Sequence, residues 1–338
     1  MSAEALLHAP IALLPVLLFL AGLVQLDGYK LVRMRMMLAL MTTGAVAAGL
    51  SYVLNNLAFA HFHGSFVTYS RYVSPWIEES LKAALLVFLI RTRRVVLPVD
   101  AGIAGFAIGT GFALVENLYY LTARPHTVLA VQAIRGFGTA IMHGGTAAIL
   151  AMISNTLYER RPSGGPYLLL PGLLAAVALH TGYNYLLARP ALATLATLLV
   201  LPFVIYLVFD HSERILRDWI EADLDSDVKR LEAISSGTFL DSPSGRYLQA
   251  LRNRFKGEQL ADMLCYLRVH GELAVRAKGL LLLRETGMPE PPLDGETRSR
   301  LAEIAQLERA IGKSGMLALR PLMMATGKEI WQLTLLRQ

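Results

Sequence analysis

One cysteine in 338 residues, Cys265, excludes an intramolecular disulfide framework. Charge is scarce as well: 17% of residues are Asp, Glu, Lys or Arg against 54% hydrophobic, whereas an ordinary soluble domain has roughly 25% charged. No basic stripe with interleaved aromatics occurs, so the net charge of +6 does not point to nucleic acid as a partner. In a membrane protein such an excess marks cytoplasmic loops instead. The chain has no His-Glu-x-x-His pattern and no cysteine suited to act as a nucleophile. Gly312-Lys313-Ser314 has the ending of a phosphate-binding loop, but the upstream glycine and the preceding strand are missing, which excludes nucleotide binding. The first residues carry Glu4 and lack both a basic n-region and a small-residue cleavage pattern, so they are expected to form a retained span.

What the chain has is apolar runs of bilayer length. Seven spans fit residues 1–209, at roughly 5–25, 36–60, 72–90, 98–121, 136–157, 167–188 and 191–209. Basic residues concentrate in alternate loops: Lys30, Arg33 and Arg35, then Arg91, Arg93 and Arg94, then Arg160 and Arg161, then Arg214 and Arg217. The other loops hold Arg71, Arg124 and Arg189. This alternation predicts an all-α, polytopic membrane helix bundle of about seven transmembrane helices, with the N-terminus outside and the C-terminus in the cytoplasm. Residues 1–209 are then a transmembrane domain. Residues 210–338, which are charged and helix-periodic, form a cytoplasmic α-helical domain.

Against this apolar background, Ser74-Pro75-Trp76-Ile77-Glu78-Glu79-Ser80-Leu81-Lys82 stands out. Ser74 as N-cap and Pro75 as first helical residue would put both glutamates in the first turn of a helix, at its dipole-positive end. Lys82 falls between them on one face. Starting there, the helix reaches only ~24 Å to Ile90, short of the ~30 Å hydrocarbon core, so residues 64–74 are expected to enter the outer leaflet as irregular backbone around a watered cavity.

The topology sets depth. Glu78 and Glu79 lie about two turns below the outer surface, near 10 Å. Glu116 and Asn117, His143, and His180 with Asn184 reach about the same level on the next three spans. Gly102, Gly105 and Gly109 let a neighbouring helix come close beside Glu116. Ionisable groups at membrane depth are costly, and four helices bringing theirs to one level argue for a polar pocket.

Two mechanisms suit Glu78, Glu79, Glu116, His143, His180 and Asn184. In one, a carboxylate takes a proton from water, which attacks a carbonyl while His and Asn donate to the oxyanion. In the other, His143 and His180 with Glu79 or Glu116 hold a metal such as Zn2+, and a remaining glutamate is the base. Lys82 by itself reads as a structural ion-pair partner. A proton- or ion-coupled transporter would use similar residues, but no inverted repeat is visible and the polar groups gather in one leaflet. A non-catalytic membrane sensor is the third reading, resting on residues 210–338.

In order, Glu78-Glu79-x-x-Lys82, Phe112-x-x-x-Glu116-Asn117, His143 in a Gly/Ala-rich helix and His180-x-x-x-Asn184 resemble the motifs of PrsW-type intramembrane proteases, distant relatives of the type II CAAX prenyl endopeptidases. The likeness covers about residues 70–190. It implies cleavage of a membrane-anchored single-span protein within the lipid bilayer near the outer face, in some members an anti-sigma factor, as a step of regulated signalling. The compartment it implies is the bacterial cytoplasmic (inner) membrane. By the same likeness Glu78 and Glu79 supply the general base, and His180 with Asn184 positions the carbonyl or stabilises the oxyanion. Glu116 stands where the CAAX enzymes carry a water-activating histidine.

Overall fold

The computed structural model describes residues 34–92, 94–95, 97–123, 129–161, 164–186, 189–289, 291, 294–323 and 336, together with 17–18, 20–22 and 24–25 of the N-terminal stretch. Every regular element among them is helical. The chain divides into two compact units, Met1–Glu213 and Arg214–Gln338. The first contains α1 (Met34–Ala60), α2 (Phe66–Tyr72), α3 (Ser74–Arg91), α4 (Pro98–Ala123), α5 (Leu129–Arg160), a 3-10 turn at Pro166–Leu169 leading into α6 (Leu170–Leu186), and the start of α7 (Pro190–Ser235).

Four helical stretches are long and apolar enough to cross a membrane: Met34–Ala60, Pro98–Ala123, Ile134–Arg160 and Pro166–Leu186. Ala191–Leu207 is a shorter apolar helix. The expected span at 72–90 corresponds to α3, an 18-residue helix that carries Glu78, Glu79, Lys82 and Arg91. Most of the expected first span lies outside the described residues, as do Lys30, Arg33, Arg93 and Arg124.

Two local expectations are corrected. Residues 66–72 form α2 rather than irregular backbone, because Ser65 Oγ caps the helix by accepting from the Thr68 amide. Tyr69 buries its ring edge-on to Phe59 and Phe62 and donates its hydroxyl proton to Asn55 Oδ1 at 2.9 Å, which ties α2 to the end of α1. The second correction concerns the start of α3, which lies at Ser74 itself with Val73 as N-cap. Glu78 and Glu79 therefore fall beyond the first turn, and the Ser74 hydroxyl is directed to Glu78 instead of to a backbone amide.

α4 is the core of this unit. Ile103, Ala104, Phe106, Ala107 and Ile108 are all fully buried. Glycines make that possible: a Cβ at Gly109 would overlap the His143 carbonyl, one at Gly105 the Ala147 carbonyl, and one at Gly111 the Met41 carbonyl. α4 thus meets α5 and α1 backbone to backbone. Because those obstacles are main chain, no rotamer change relieves them. Gly109→Val is expected to cost at least about 3 kcal/mol, the upper part of the overpacking range, read as a lowered melting temperature in detergent. Gly49→Ala, on an open face of α1 with nothing within 4 Å of the new methyl, is the control expected to melt no lower than wild type.

In the second unit the rest of α7 is followed by a 3-10 turn at Thr238–Asp241, α8 (Pro243–Ala250), α9 (Gly257–Glu285) and α10 (Gly295–Leu319). Residues 237–245, rich in Ser, Pro and Gly, thus contain the 3-10 turn and the start of α8. Fully buried Lys278 on α9 pairs with Asp223 and Asp227 of α7, each at 2.5 Å. Asp294 caps α10 by accepting from the Thr297 amide at 2.8 Å. Gly312, at φ 71°, kinks α10 inside the sequence that looked like a phosphate-loop ending.

Candidate active site

Four helices of the first unit bring their ionisable residues to one place. On α3, Glu78 and Glu79 are neighbours about 100° apart around the helix, so they enter different surroundings. Glu79 is fully buried. Its Oε1 accepts from Lys82 Nζ at 2.7 Å, from His180 Nδ1 at 2.8 Å and from Thr146 Oγ1 at 3.3 Å. A buried carboxylate is tolerated only with such compensation. Glu79 Oε2 is buried too and has no hydrogen-bond partner among the described residues.

Glu78 keeps partial access to solvent. Its Oε1 accepts from Ser74 Oγ at 2.5 Å, one helical turn back, and its Oε2 faces His180 Nε2 at 3.8 Å. That gap is too long for a direct hydrogen bond and suits one bridging atom.

α4 contributes Glu116, whose Oε2 lies 2.5 Å from His143 Nε2 on α5. The other imidazole nitrogen, Nδ1, lies 3.0 Å from Lys82 Nζ, and that ammonium sits 4.9 Å from the Phe112 ring centroid. The two imidazoles meet edge to face at 4.9 Å.

The structure therefore gathers Glu78, Glu79, Glu116, His143 and His180 into one cluster, and leaves Asn184 outside its hydrogen-bonded network. Asn184 Nδ2 donates to the Ser70 carbonyl at 2.9 Å and so ties α6 to α2. Asn117 is likewise spent on packing, donating to the Gly136 carbonyl. Ligand atoms of Glu78, His143 and His180 lie within 4.8 Å of one another, while Glu79 and Glu116 hold the outer nitrogens of the two histidines. Sequence reasoning missed Ser74 and Thr146 and underrated Lys82. The usable signal was spacing: Ser74 lies one turn before Glu78, and Thr146 one turn after His143.

A comparison with protein families settles the setting. The PrsW family intramembrane metalloprotease model matches residues 32–209, more than half of the chain and the whole of this cluster. The chain belongs to the PrsW family. Neither the curated proteins nor the solved structures contain a match. As a PrsW-family member it is an integral membrane peptide hydrolase.

The family's metal can be tested against the residues. Three carboxylates and one ammonium meet here, so two negative charges are left over if all are ionised, a surplus that a divalent cation offsets. One glutamate and two histidines make a common zinc ligand set. His180 is supported as metal-binding histidines usually are, with the far nitrogen donating to a carboxylate. Glu79 Oε2 adds a buried oxygen without a partner. The donor set fits. Glu78, His180 through Nε2, and His143 would hold the ion, His143 exchanging Lys82 or Glu116 for it.

Proposed function

We propose that this PrsW-family protein is an endopeptidase that cuts a membrane-anchored single-span protein, with Glu78 as the residue that activates water. The observation that carries this reading is Glu78 Oε2 set opposite His180 Nε2 at 3.8 Å, the one acid of the cluster that is neither salt-bridged to Lys82 nor bonded to His143. A water between the two can lose a proton to the Glu78 carboxylate as its oxygen attacks the scissile carbonyl carbon; that proton then passes to the departing amine. His180, held at Nδ1 by Glu79, accepts the water's other hydrogen at Nε2 and so aims the water, and the Ser74 hydroxyl orients the Glu78 carboxylate. When bound, a metal such as zinc would supply Lewis-acid polarisation and make water more acidic, and Glu78 would divide its two oxygens between the ion and the water's proton.

The wider assignment rests on the span count and charge pattern of the sequence and, for compartment and substrate, on the family likeness. Seven spans with the N-terminus outside put the centre in the outer leaflet of the bacterial inner membrane and residues 210–338 in the cytoplasm. Cleavage of an anti-sigma factor or similar signalling protein suits that geometry.

Purified protein in detergent with a single-span peptide substrate tests the reading. His180→Ala is expected to slow cleavage by about 10²-fold or more. Metal chelation is expected to stop cleavage, and zinc to restore it. Cleavage that persists at wild-type rate in the His180→Ala protein would remove the assignment, and cleavage untouched by chelation would remove the metal from it.

A further inference from the structure

Lys82 is the feature that the reading so far leaves without a task. It is fully buried at the centre of the cluster, it is one of the largest such side chains among the described residues, and it touches both Glu79 and His143. We propose that Lys82 is a positioning residue that imposes opposite tautomers on His143 and His180, so that only His180 offers a nitrogen lone pair towards Glu78. The inference rests on the active-site assignment for its functional meaning, but not for its geometry.

The argument is one of donor and acceptor counting. An ammonium carries three donors and no acceptor. Lys82 Nζ, 3.0 Å from His143 Nδ1, must therefore donate, and Nδ1 must be the unprotonated nitrogen. A neutral His143 ring then carries its proton on Nε2, which points it at Glu116 Oε2, 2.5 Å away. Without a metal both nitrogens of His143 are thereby committed, and an ion would have to displace one of the two partners.

The same ammonium works on His180 at one remove. It is ion-paired with Glu79 at 2.7 Å and keeps Oε1 as an acceptor. His180 Nδ1, 2.8 Å from that oxygen, must donate to it, which places the proton of the ring on Nδ1. The Nε2 lone pair is left facing Glu78 Oε2. Lys82 and Glu79 lie three residues apart on one helix, so the wiring is carried by a single rigid element, α3, and read out on two others, α5 and α6. Without the ammonium, Nδ1 of His143 has no donor opposite it, and only the Glu116 carboxylate at Nε2 is left to hold the ring.

Tautomers can be read directly from ¹⁵N-histidine spectra of the full-length protein in micelles, with His143→Gln and His180→Gln providing the assignments. Wild type is expected to show the proton on Nε2 of His143 and on Nδ1 of His180. Lys82→Met is expected to give a mixture at His143 and to lower cleavage by about 10–100-fold, the usual effect of losing a group that orients a ligand. Lys82→Arg, which keeps a donor and the charge, is expected to recover the His143 pattern. A wild-type His143 protonated on Nδ1 overturns the proposal even if the Lys82→Met protein fails to accumulate, and so does an unchanged spectrum in Lys82→Met. The expected tautomers in a protein that cuts nothing would uphold the wiring and defeat the protease mechanism instead.

Discussion

Glu78→Gln is expected to leave a folded protein that cleaves its substrate roughly a thousandfold more slowly, the middle-to-upper range for loss of a general base. The fold survives because Glu78 is only partly buried and is not paired with Lys82, and because the amide oxygen of the substituted side chain can still accept from the Ser74 hydroxyl. Activity does not survive, since an amide has no basic oxygen to take a proton from water. The measurement is initial cleavage rate at matched protein concentration, alongside a melting curve. A rate within tenfold of wild type would assign the base elsewhere, and Glu116 would become the first candidate.

Glu79→Gln is expected to fail in the opposite way. Glu79 is the carboxylate that meets Lys82 inside the bundle, and both side chains are fully buried. Neutralising one partner leaves a buried ammonium without its counter-charge, which typically costs about 3–5 kcal/mol. The variant should melt markedly lower or accumulate poorly. Neutralising both partners should hurt less than neutralising one, so the double variant Glu79→Gln/Lys82→Met is expected to regain part of the lost stability. Equal melting temperatures for wild type and Glu79→Gln would show that Lys82 is compensated by some other group. Taken together, the two substitutions separate adjacent residues of one type: removing Glu78 spares the fold and stops the chemistry, whereas removing Glu79 loosens the fold itself.

Composition and order made much of this legible beforehand. The low charge content and recurring apolar runs identified a helical membrane protein, and the glycines of α4 marked the close approach to α5 that the Gly109 contact with the His143 carbonyl makes concrete. Five of the six proposed site residues meet, although they are up to 102 positions apart. Helix starts were harder to place. Ser74 looked like a cap because Ser-Pro so often opens a helix, yet the chain enters α3 from α2 through Val73 alone, and that continuity leaves the serine inside the helix with its hydroxyl free for Glu78. Asn184 shows a related limit, since an i, i+4 relation to His180 puts two residues on one face but does not say which partner each takes, here the Ser70 carbonyl for the Asn184 amide.

By itself, then, the sequence determined the class of the protein, the inventory of acids and imidazoles, and their distribution over successive helices. Which atom meets which was decided only in three dimensions. Glu78 and Glu79 are identical in kind and adjacent in sequence, and helical periodicity says only that they diverge by about 100°. Their neighbours come from α5 and α6, so one carboxylate is drawn into an ion pair with Lys82 and a bond to His180, while the other is left partly open opposite His180 Nε2. Lys82 shows the same limit most sharply: its spacing predicted a local pair with a glutamate, and the packing of α5 against α3 added the His143 contact that no periodicity encodes.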